Sequence, residues 1–372
     1  IQRRSIHVIM SATMGGYFAD LIAGMQSQAS FSFGELDGIE LKIVDSEGNE
    51  TKQAELVADA LSDPGTLGVL TVDGTAASMC SAIEDVISKG IPVVSNDITG
   101  EPCGDEHIVT YQEDEMIASL VLTQAVEDLG KNLNVGYVND FNAASQKNRD
   151  VVWEMYKAQN NWTQLFFVED DTNVGTAEDL KMEIETAIKD SPQAVDLIYA
   201  PWDYLTISTV EALKSTKTSN ETSVYGSDIN DEDIAVMTET DSPWKATAGV
   251  NARSMGASLI RMVALAAAGE LASNKPMVPS FLFTREFLLE NDIASMEDLN
   301  SAMPEILLPD FMTACWIETA SDVQSASNVT DDDVDQPQEA QPEVESPTQS
   351  PDAASCAYAV QTLVAGLLMT MP

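Results

Sequence analysis

Basic residues are what this sequence has least of. Its 372 residues hold 18 Lys and Arg against 61 Asp and Glu, a formal net charge of -43. Nucleic-acid binding needs a cationic footprint on the phosphate backbone, and a field this negative repels that backbone before any base edge is read. Docking on anionic lipid is disfavoured for the same reason. Histidine occurs only at His7 and His107, and the four cysteines, Cys80, Cys103, Cys315 and Cys356, form no C-x-x-C pair. A structural zinc site of the usual spacing is thereby excluded. G-x-G-x-x-G, G-x-x-x-x-G-K-S/T and G-x-S-x-G are all missing, so dinucleotide, P-loop and serine-hydrolase sites lack local support. Residues 170–175 begin like a calcium loop, but Thr172 and Val174 stand where oxygen ligands are needed and Lys181 stands where a Glu is required. No metal and no cofactor is expected.

Hydrophobic residues at 44% and aromatics at 6% are ordinary for a globular chain, so the acidity belongs to a surface around a normal core. Such a surface suits either a secreted protein in salty water, where ions screen self-repulsion, or simple solubility. Residue 1 is Ile, so a leader removed before it is the expectation. Length alone suggests roughly two domains.

Short β-rich runs alternate with stretches of helical period from residue 5 to about 287. Strands are expected at 6–11, 39–44, 67–72, 91–95, 108–111, 134–138, 164–168, 197–200, 223–226, 247–250 and 281–284. Helices are expected at 16–27, 52–61, 76–89, 115–130 and 144–159. Runs such as Ile-Pro-Val-Val at 91–94 and Leu-Phe-Phe-Val at 165–168 are apolar throughout, as parallel strands covered on both faces are. The pattern runs once over 5–99 and again over 134–229, which predicts an α/β fold of two similar doubly wound parallel-sheet lobes. Residues 320–352 contain nine acids and no base, and are expected to be a disordered stalk. An apolar run, 353–372, ends the sequence.

Several short motifs recur in a fixed order along this pattern: Gly-Gly-Tyr-Phe at 15–18, Asp-Ser-Glu-Gly-Asn at 45–49 with Lys52-Gln53, and Gly-Ile-Pro-Val-Val-Ser-Asn-Asp at 90–97. Residues 143–153, Tyr-Ala-Pro-Trp-Asp at 199–203, Val-Tyr-Gly-Ser-Asp at 224–228 and residues 246–256 continue the series. Together they resemble the type I periplasmic binding proteins, in the ribose and galactose branch, over about 6–287. The resemblance implies a hinge and an interlobe cleft, with one lobe at about 5–106 and 254–274 and the other at about 107–253 and 275–290. Residues 291–319 form a C-terminal extension beyond them. The three crossovers are expected near 107–112, 250–253 and 275–280.

In open α/β sheets ligands sit at the carboxyl ends of the strands. Tyr17 and Phe18 open the first helix, where their rings either cover the apolar face of a sugar or pack as core. Asp97 and Asp228 follow strands, where a carboxylate accepts hydrogen bonds from adjacent hydroxyls or caps a helix. Arg149 matches an Arg of the family, and Lys147 stands where the family commonly has another Arg. Trp202 and Asp203 occupy an Asn-Asp position, with Trp202 as an aromatic wall or interlobe packing. Asn251 either binds ligand or shapes the hinge.

The resemblance implies an extracellular protein that closes on a monosaccharide or related polyol for uptake or sensing, working with a membrane transporter or a signalling receptor, as a monomer and without nucleic acid. The competing readings are a surface scaffold or adhesion module with a degenerate cleft, and a Cys hydrolase built on Cys80 and His107. Cys80 and Cys103 flank a helix and a strand, so they either close a disulfide in an oxidising compartment or remain free core thiols. Asn49, Asn161, Asn220 and Asn328 head N-x-T sequons in segments read as loops or linker, which favours a eukaryotic secretory route over a periplasm. The tail from Cys356 to Pro372 is shorter than the roughly 20 apolar residues of a spanning helix, and Arg285 is the last basic residue. It reads as a cleaved glycolipid-anchor signal, with a marginal membrane span and a packed helix as alternatives.

Overall fold

The structure is a computed structural model that describes residues 4–11, 16–34, 36–141, 144–170, 176–273, 277–307 and 312–319. Residues 171–175, the stalk at 320–352 with Asn328, and the tail at 353–372 lie outside the described residues.

In chain order the strands are β1 (Ser5–Met10), β2 (Glu40–Asp45), β3 (Thr66–Val72), β4 (Val93–Asn96), β5 (Ile108–Gln112), β6 (Asn134–Asn139), β7 (Thr163–Glu169), β8 (Leu197–Ala200), β9 (Ser223–Ser227), β10 (Trp244–Gly249), β11 (Met277–Val278) and β12 (Phe281–Thr284). The helices are α1 (Gly16–Ser30), α2 (Glu50–Asp59), α3 (Ala76–Ile87), α4 (Asp114–Leu129), α5 (Ala144–Gln159), α6 (Ala177–Asp190), α7 (Asp203–Thr216), α8 (Asp231–Thr238), α9 (Ala252–Ala268), α10 (Arg285–Glu290) and α11 (Met296–Ala302). All eleven expected strands form. Only β11, two residues long, has no counterpart in the sequence pattern.

The strands make two six-stranded sheets, ordered β11-β5-β4-β3-β1-β2 and β12-β10-β9-β8-β6-β7. The two orders are the same when each sheet is numbered by itself, as the repeat over 5–99 and 134–229 predicts. Pairing is parallel throughout except for β12, which runs antiparallel to β10. Both faces of each sheet are buried. On the first sheet Ile6, Val8 and Met10 of β1 face one core with α1 and α9, while Ile9 faces a second core with α3. On the second, Ile198 and Ala200 of β8 join the core of α6, α7 and α8, while Leu197 and Tyr199 join that of α4 and α5. The period of two in these side chains is what a twice-covered strand requires.

The expected lobe boundary at 107 is corrected by the sheet order. Strand β5 pairs with β4 in the first sheet, so the chain leaves that lobe after Gln112, at the start of α4, and not within 107–112. Ile108 and Val109 are buried in the first lobe, which is why the run stays there. The second passage lies between Gly249 and α9, which packs on α1 and β3, and the third between β11 and β12. The C-terminal extension adds a further passage. Leu299 and Ile306 are buried in the second lobe, whereas Trp316 and Ile317 are buried in the first.

Candidate ligand-binding site

Helices and strands meet between the two sheets around a cavity of about 360 Å3. Each lobe supplies strand ends. From the first come Ser11 after β1, Asp73 after β3, Asn96 and Asp97 at the end of β4, and Gln112 closing β5. From the second come Asp140 after β6, Trp202 after β8 and Asp228 after β9, with Gln146 and Arg149 from α5. Larger hollows on the outer faces, such as the one of about 510 Å3 between β7 and α6, gather residues of one lobe only.

Asp73, Asp97 and Asp228 all sit at positive φ, 55°, 52° and 73°. Asp tolerates the left-handed region better than bulkier residues do, and the conformation turns the chain sharply off each strand. The Asp97 carboxylate accepts the backbone N–H of Gln112 on Oδ1 (2.9 Å), and Gln112 Nε2 (3.0 Å) and Asn96 Nδ2 (2.9 Å) on Oδ2. Gln112 Nε2 also donates to the phenol oxygen of Tyr17 (3.1 Å), leaving the Tyr17 hydroxyl proton to donate elsewhere. Burial, and next the charge of Asp114, push Asp97 up to about 6 against the donation from Gln112. Asp73 is held well above the usual carboxylate range by burial and the neighbouring Asp97. Tyr17 is likewise raised by burial and by Asp97 and Asp228.

Arg149 is almost wholly buried. Its Nε donates to Asp114 Oδ1 (3.1 Å), its Nη1 donates to the Pro201 carbonyl (2.6 Å), and Nη1 lies 3.7 Å from Asp228 Oδ2. Burial works against the guanidinium charge, but Asp228 and Asp114 more than restore it. Burial outweighs Arg149 at Asp228, whose carboxyl is raised. One cation thus faces five lining carboxylates, those of Glu50, Asp73, Asp97, Asp140 and Asp228. Among the described residues, no group of side chains is arranged to hold a metal ion.

Of the residues picked from sequence, Tyr17, Phe18, Asp97, Arg149, Trp202 and Asp228 line the cavity. Tyr17 is also part of the first lobe's core, with Phe18 edge-on at 5.5 Å, so core and cleft roles coexist in one ring pair. Lys147, Asp203 and Asn251 do not line it. Lys147 is exposed because residues two apart on a helix point to different faces; the neighbour that shares Arg149's face is three back, Gln146. Asp203 turns away from Trp202 into the lobe, where Oδ1 accepts the Tyr204 N–H (2.6 Å) and Oδ2 accepts Asn230 Nδ2 (3.0 Å). Asn251 caps α9, accepting the Ser254 N–H (2.9 Å), and donates to Asn300 of α11 (2.8 Å). The residues missed, Asp73, Gln112, Gln146 and Asp140 among them, carry the same signal that picked Asp97: the first polar groups at a strand's carboxyl end or on the cleft face of its helix.

The Cys hydrolase reading fails. Cys80 is joined to Cys103 in a disulfide with Cα atoms 5.1 Å apart, so it offers no thiolate. His107 is consumed structurally: Nδ1 accepts the Cys103 N–H (3.0 Å), Nε2 meets Ser95 Oγ (2.7 Å), and burial lowers the ring to about 4.

Solved structures of the same architecture carry ligands in complexes that the present geometry invites comparison with. A 5-methylthioribose transporter solute binding protein from Thermotoga lettingae, in complex with 5-methylthioribose, is 26% identical with a TM-score of 0.78, over 84% of this chain and 96% of that one. A sugar ABC transporter protein from Yersinia enterocolitica is 20% identical with a TM-score of 0.78, over 88% and 96%. A solute binding protein from Bacillus halodurans with bound myo-inositol is 17% identical with a TM-score of 0.68, over 77% and 96%. No curated protein is similar enough to match. Residues 6–271, which hold all the strands but β11 and β12 and every residue that lines the cavity, match the periplasmic binding protein domain, and the chain belongs to that family.

Proposed function

We propose that this protein is an extracellular solute receptor that closes its two lobes on a monosaccharide or related polyol and presents it to a membrane transporter or signalling receptor. One observation carries the reading: the interlobe cavity is lined by Asn96, Gln112 and Gln146, whose buried amide oxygens have no hydrogen-bond partner among the described residues. An unpaired buried acceptor costs about 1–3 kcal/mol, and a ligand with several hydroxyl donors removes that cost. Asp97 and Asp228 add carboxylate acceptors from opposite lobes, and the rings of Tyr17, Phe18 and Trp202 supply faces for the C–H side of a sugar. The 5-methylthioribose complex of the Thermotoga lettingae relative supports a pentose-sized ligand carrying an apolar group. The protein acts as a monomer in this reading.

The disulfide supports an oxidising compartment, and Asn49, Asn161 and Asn220 are exposed and open to glycosylation. No described helix is long and apolar enough to cross a membrane. Attachment through a glycolipid in place of residues 356–372 completes the proposal, and release from cells by a phospholipase that cuts such anchors tests that part. The binding reading is tested by thermal-shift and calorimetric screening of pentoses, hexoses, methylthioribose and cyclitols, since a ligand that binds only the folded state raises the Tm. A rise with at least one of them is expected; no rise with any of them sinks the reading.

A further inference from the structure

The cavity is lined by far more acidic than basic side chains. Asn96, Gln112 and Gln146 line it on side chains exposed by 0%, 7% and 3%, and their buried Oδ1, Oε1 and Oε1 have no hydrogen-bond partner among the described residues. Five carboxylates line it, and its single cation is already shared: Arg149 is bonded to Asp114 behind the cleft wall and to the Pro201 carbonyl. Beside Arg149, the donor side chains there are the hydroxyls of Ser11, Tyr17, Thr75, Thr99 and Ser145, the amide NH2 groups of Asn96, Gln112 and Gln146, and the Trp202 indole; Thr75 already donates to Glu50 (2.6 Å), and Asn96 and Gln112 already donate to Asp97. Asp73 stands apart from Arg149's bonds, at a partly buried turn opposite α5, and no described side chain donates a hydrogen bond to its carboxylate.

A neutral sugar would satisfy the amide oxygens but leave the clustered carboxyls relieved only by proton uptake, which the raised Asp73, Asp97 and Asp228 favour. A sugar phosphate or sugar acid would add to it. The protein's net charge of -43 biases approach the same way, because a cleft lined by one sign of charge concentrates ligands of the other. With no group of side chains suited to a metal ion among the described residues, an ammonium on an organic ligand is the cation that would hold these carboxyls ionised.

We infer that the preferred occupant of this cleft is a polyol bearing a protonated amine, an amino sugar or aminocyclitol, with its ammonium directed at Asp73 and Asp97 and its hydroxyls at Gln146, Asp228 and the other acceptors. This rests on the reading of the cleft as a polyol site and specifies the chemistry it selects.

The test is calorimetry on the full chain in about 0.15 M salt, which screens the general field of the surface to a length of about 8 Å. The probes are matched sets in the gluco, galacto and manno series: the free hexose, the 2-amino-2-deoxy sugar, its N-acetyl derivative and the hexose 6-phosphate. The expected result is that in at least one series the amine binds about tenfold or more tighter than both the hexose and the N-acetyl sugar, the scale of one charge-assisted hydrogen bond, while the phosphate does not bind. Asp73→Asn is expected to erase most of the amine's advantage and Asp73→Glu to restore part of it. Thermal melts of the ligand-free variants separate a binding effect from misfolding. If a hexose or N-acetyl sugar binds as tightly as its amine in every series that binds, the inference is overturned and the polyol reading stands. If neutral sugars bind and the amines do not, the result is the same. If none of these probes nor any screened pentose or cyclitol binds, both fall together.

Discussion

At the scale of single residues the cleft opposes two requirements, keeping polar groups buried and keeping them satisfied, and Asp97 shows the consequence. Its carboxyl is raised to about 6 by burial and by Asp114, with Asp73 and Tyr17 beside it and Arg149 and Gln112 pulling the other way. A carboxyl that is raised in the folded state contributes stability at low pH, where it is protonated, and that contribution is lost as pH rises from about 4 through about 6. The shift corresponds to roughly 2–3 kcal/mol. Asp97→Asn is therefore expected to gain Tm relative to the parent at pH 7, with the gap closing as pH falls to 4, in ligand-free melts. A gap independent of pH would show that Asp97 is not raised. The buried Arg149 gives the opposite case, a charge whose loss strands Asp114. Arg149→Met should lower stability by about 3–5 kcal/mol in urea unfolding and abolish sugar binding, whereas Asp114→Asn with Arg149→Met should recover part of the stability, because only Asp228 is then left without its cation.

Elements are held together by close approach as well as by apolar area. Helices α1 and α9 lie side by side on the first sheet, and an added Cβ would sit 2.0 Å from the Arg253 carbonyl oxygen at Gly24 and 2.0 Å from the Leu21 carbonyl oxygen at Gly256. Backbone against backbone leaves no flexible atom to move aside, so Gly256→Ala must part the helices or bend one. A loss of about 1–3 kcal/mol is expected, confined to the first lobe and visible as faster amide exchange in α1 and α9. The disulfide ties a different pair of elements, α3 and the loop before β5, through cysteines 23 positions apart in sequence. Replacing Cys80 and Cys103 together by Ser should cost about 2–4 kcal/mol by freeing the unfolded chain. His107, bonded to Cys103 of the same loop at one nitrogen and to Ser95 of β4 at the other, is expected to hold the fold of the double mutant at neutral pH.

For the molecule as a whole the question is what brings the lobes together, and Gly16 marks a point where they touch. Gly16 begins α1 in the first lobe, and a Cβ there would meet Asn230 Nδ2 of the second lobe at 2.7 Å. Asn230 cannot easily give way. Its Oδ1 accepts the N–H groups of Glu232 and Asp233 to cap α8, and its Nδ2 donates to Asp203. Gly16→Val should therefore weaken sugar binding by about tenfold or more, equivalent to roughly 1.4 kcal/mol, while leaving the melting of the ligand-free protein nearly unchanged. Small-angle scattering of the variant with saturating sugar should show it remaining more open than the parent; an unchanged affinity would mean that closure does not bring Gly16 against Asn230. Residues 312–319 attach the C-terminal extension to the first lobe as well. Trp316 Nε1 donates to Glu270, and the Glu318 carboxylate accepts the Ser32 N–H, so this segment is fastened to the first lobe while α11 stays on the second.

The α/β class, the doubled topology and the position of nearly every strand are written in the order of residues, because a parallel strand buried on both faces has to be a short apolar run and its covering helix has to keep a period near 3.6. The same rule places Asp97, Trp202 and Asp228, since the first polar residue after such a run lies at the carboxyl edge of a sheet. Tertiary structure alone decided which of two neighbours faces the cleft: Gln146 over Lys147, Trp202 over Asp203. That choice depends on how α5 and α7 are rotated against their sheet, which is fixed by partners far along the chain, Asp114 and Pro201 for Arg149 and Asn230 for Asp203. Only the fold, likewise, assigned β5 to the first lobe, closed Cys80 on Cys103 and gave Asn251 to the cap of α9. Each of these rests on contacts between segments that local periodicity does not relate, so the physical information lies in the packing of the folded chain.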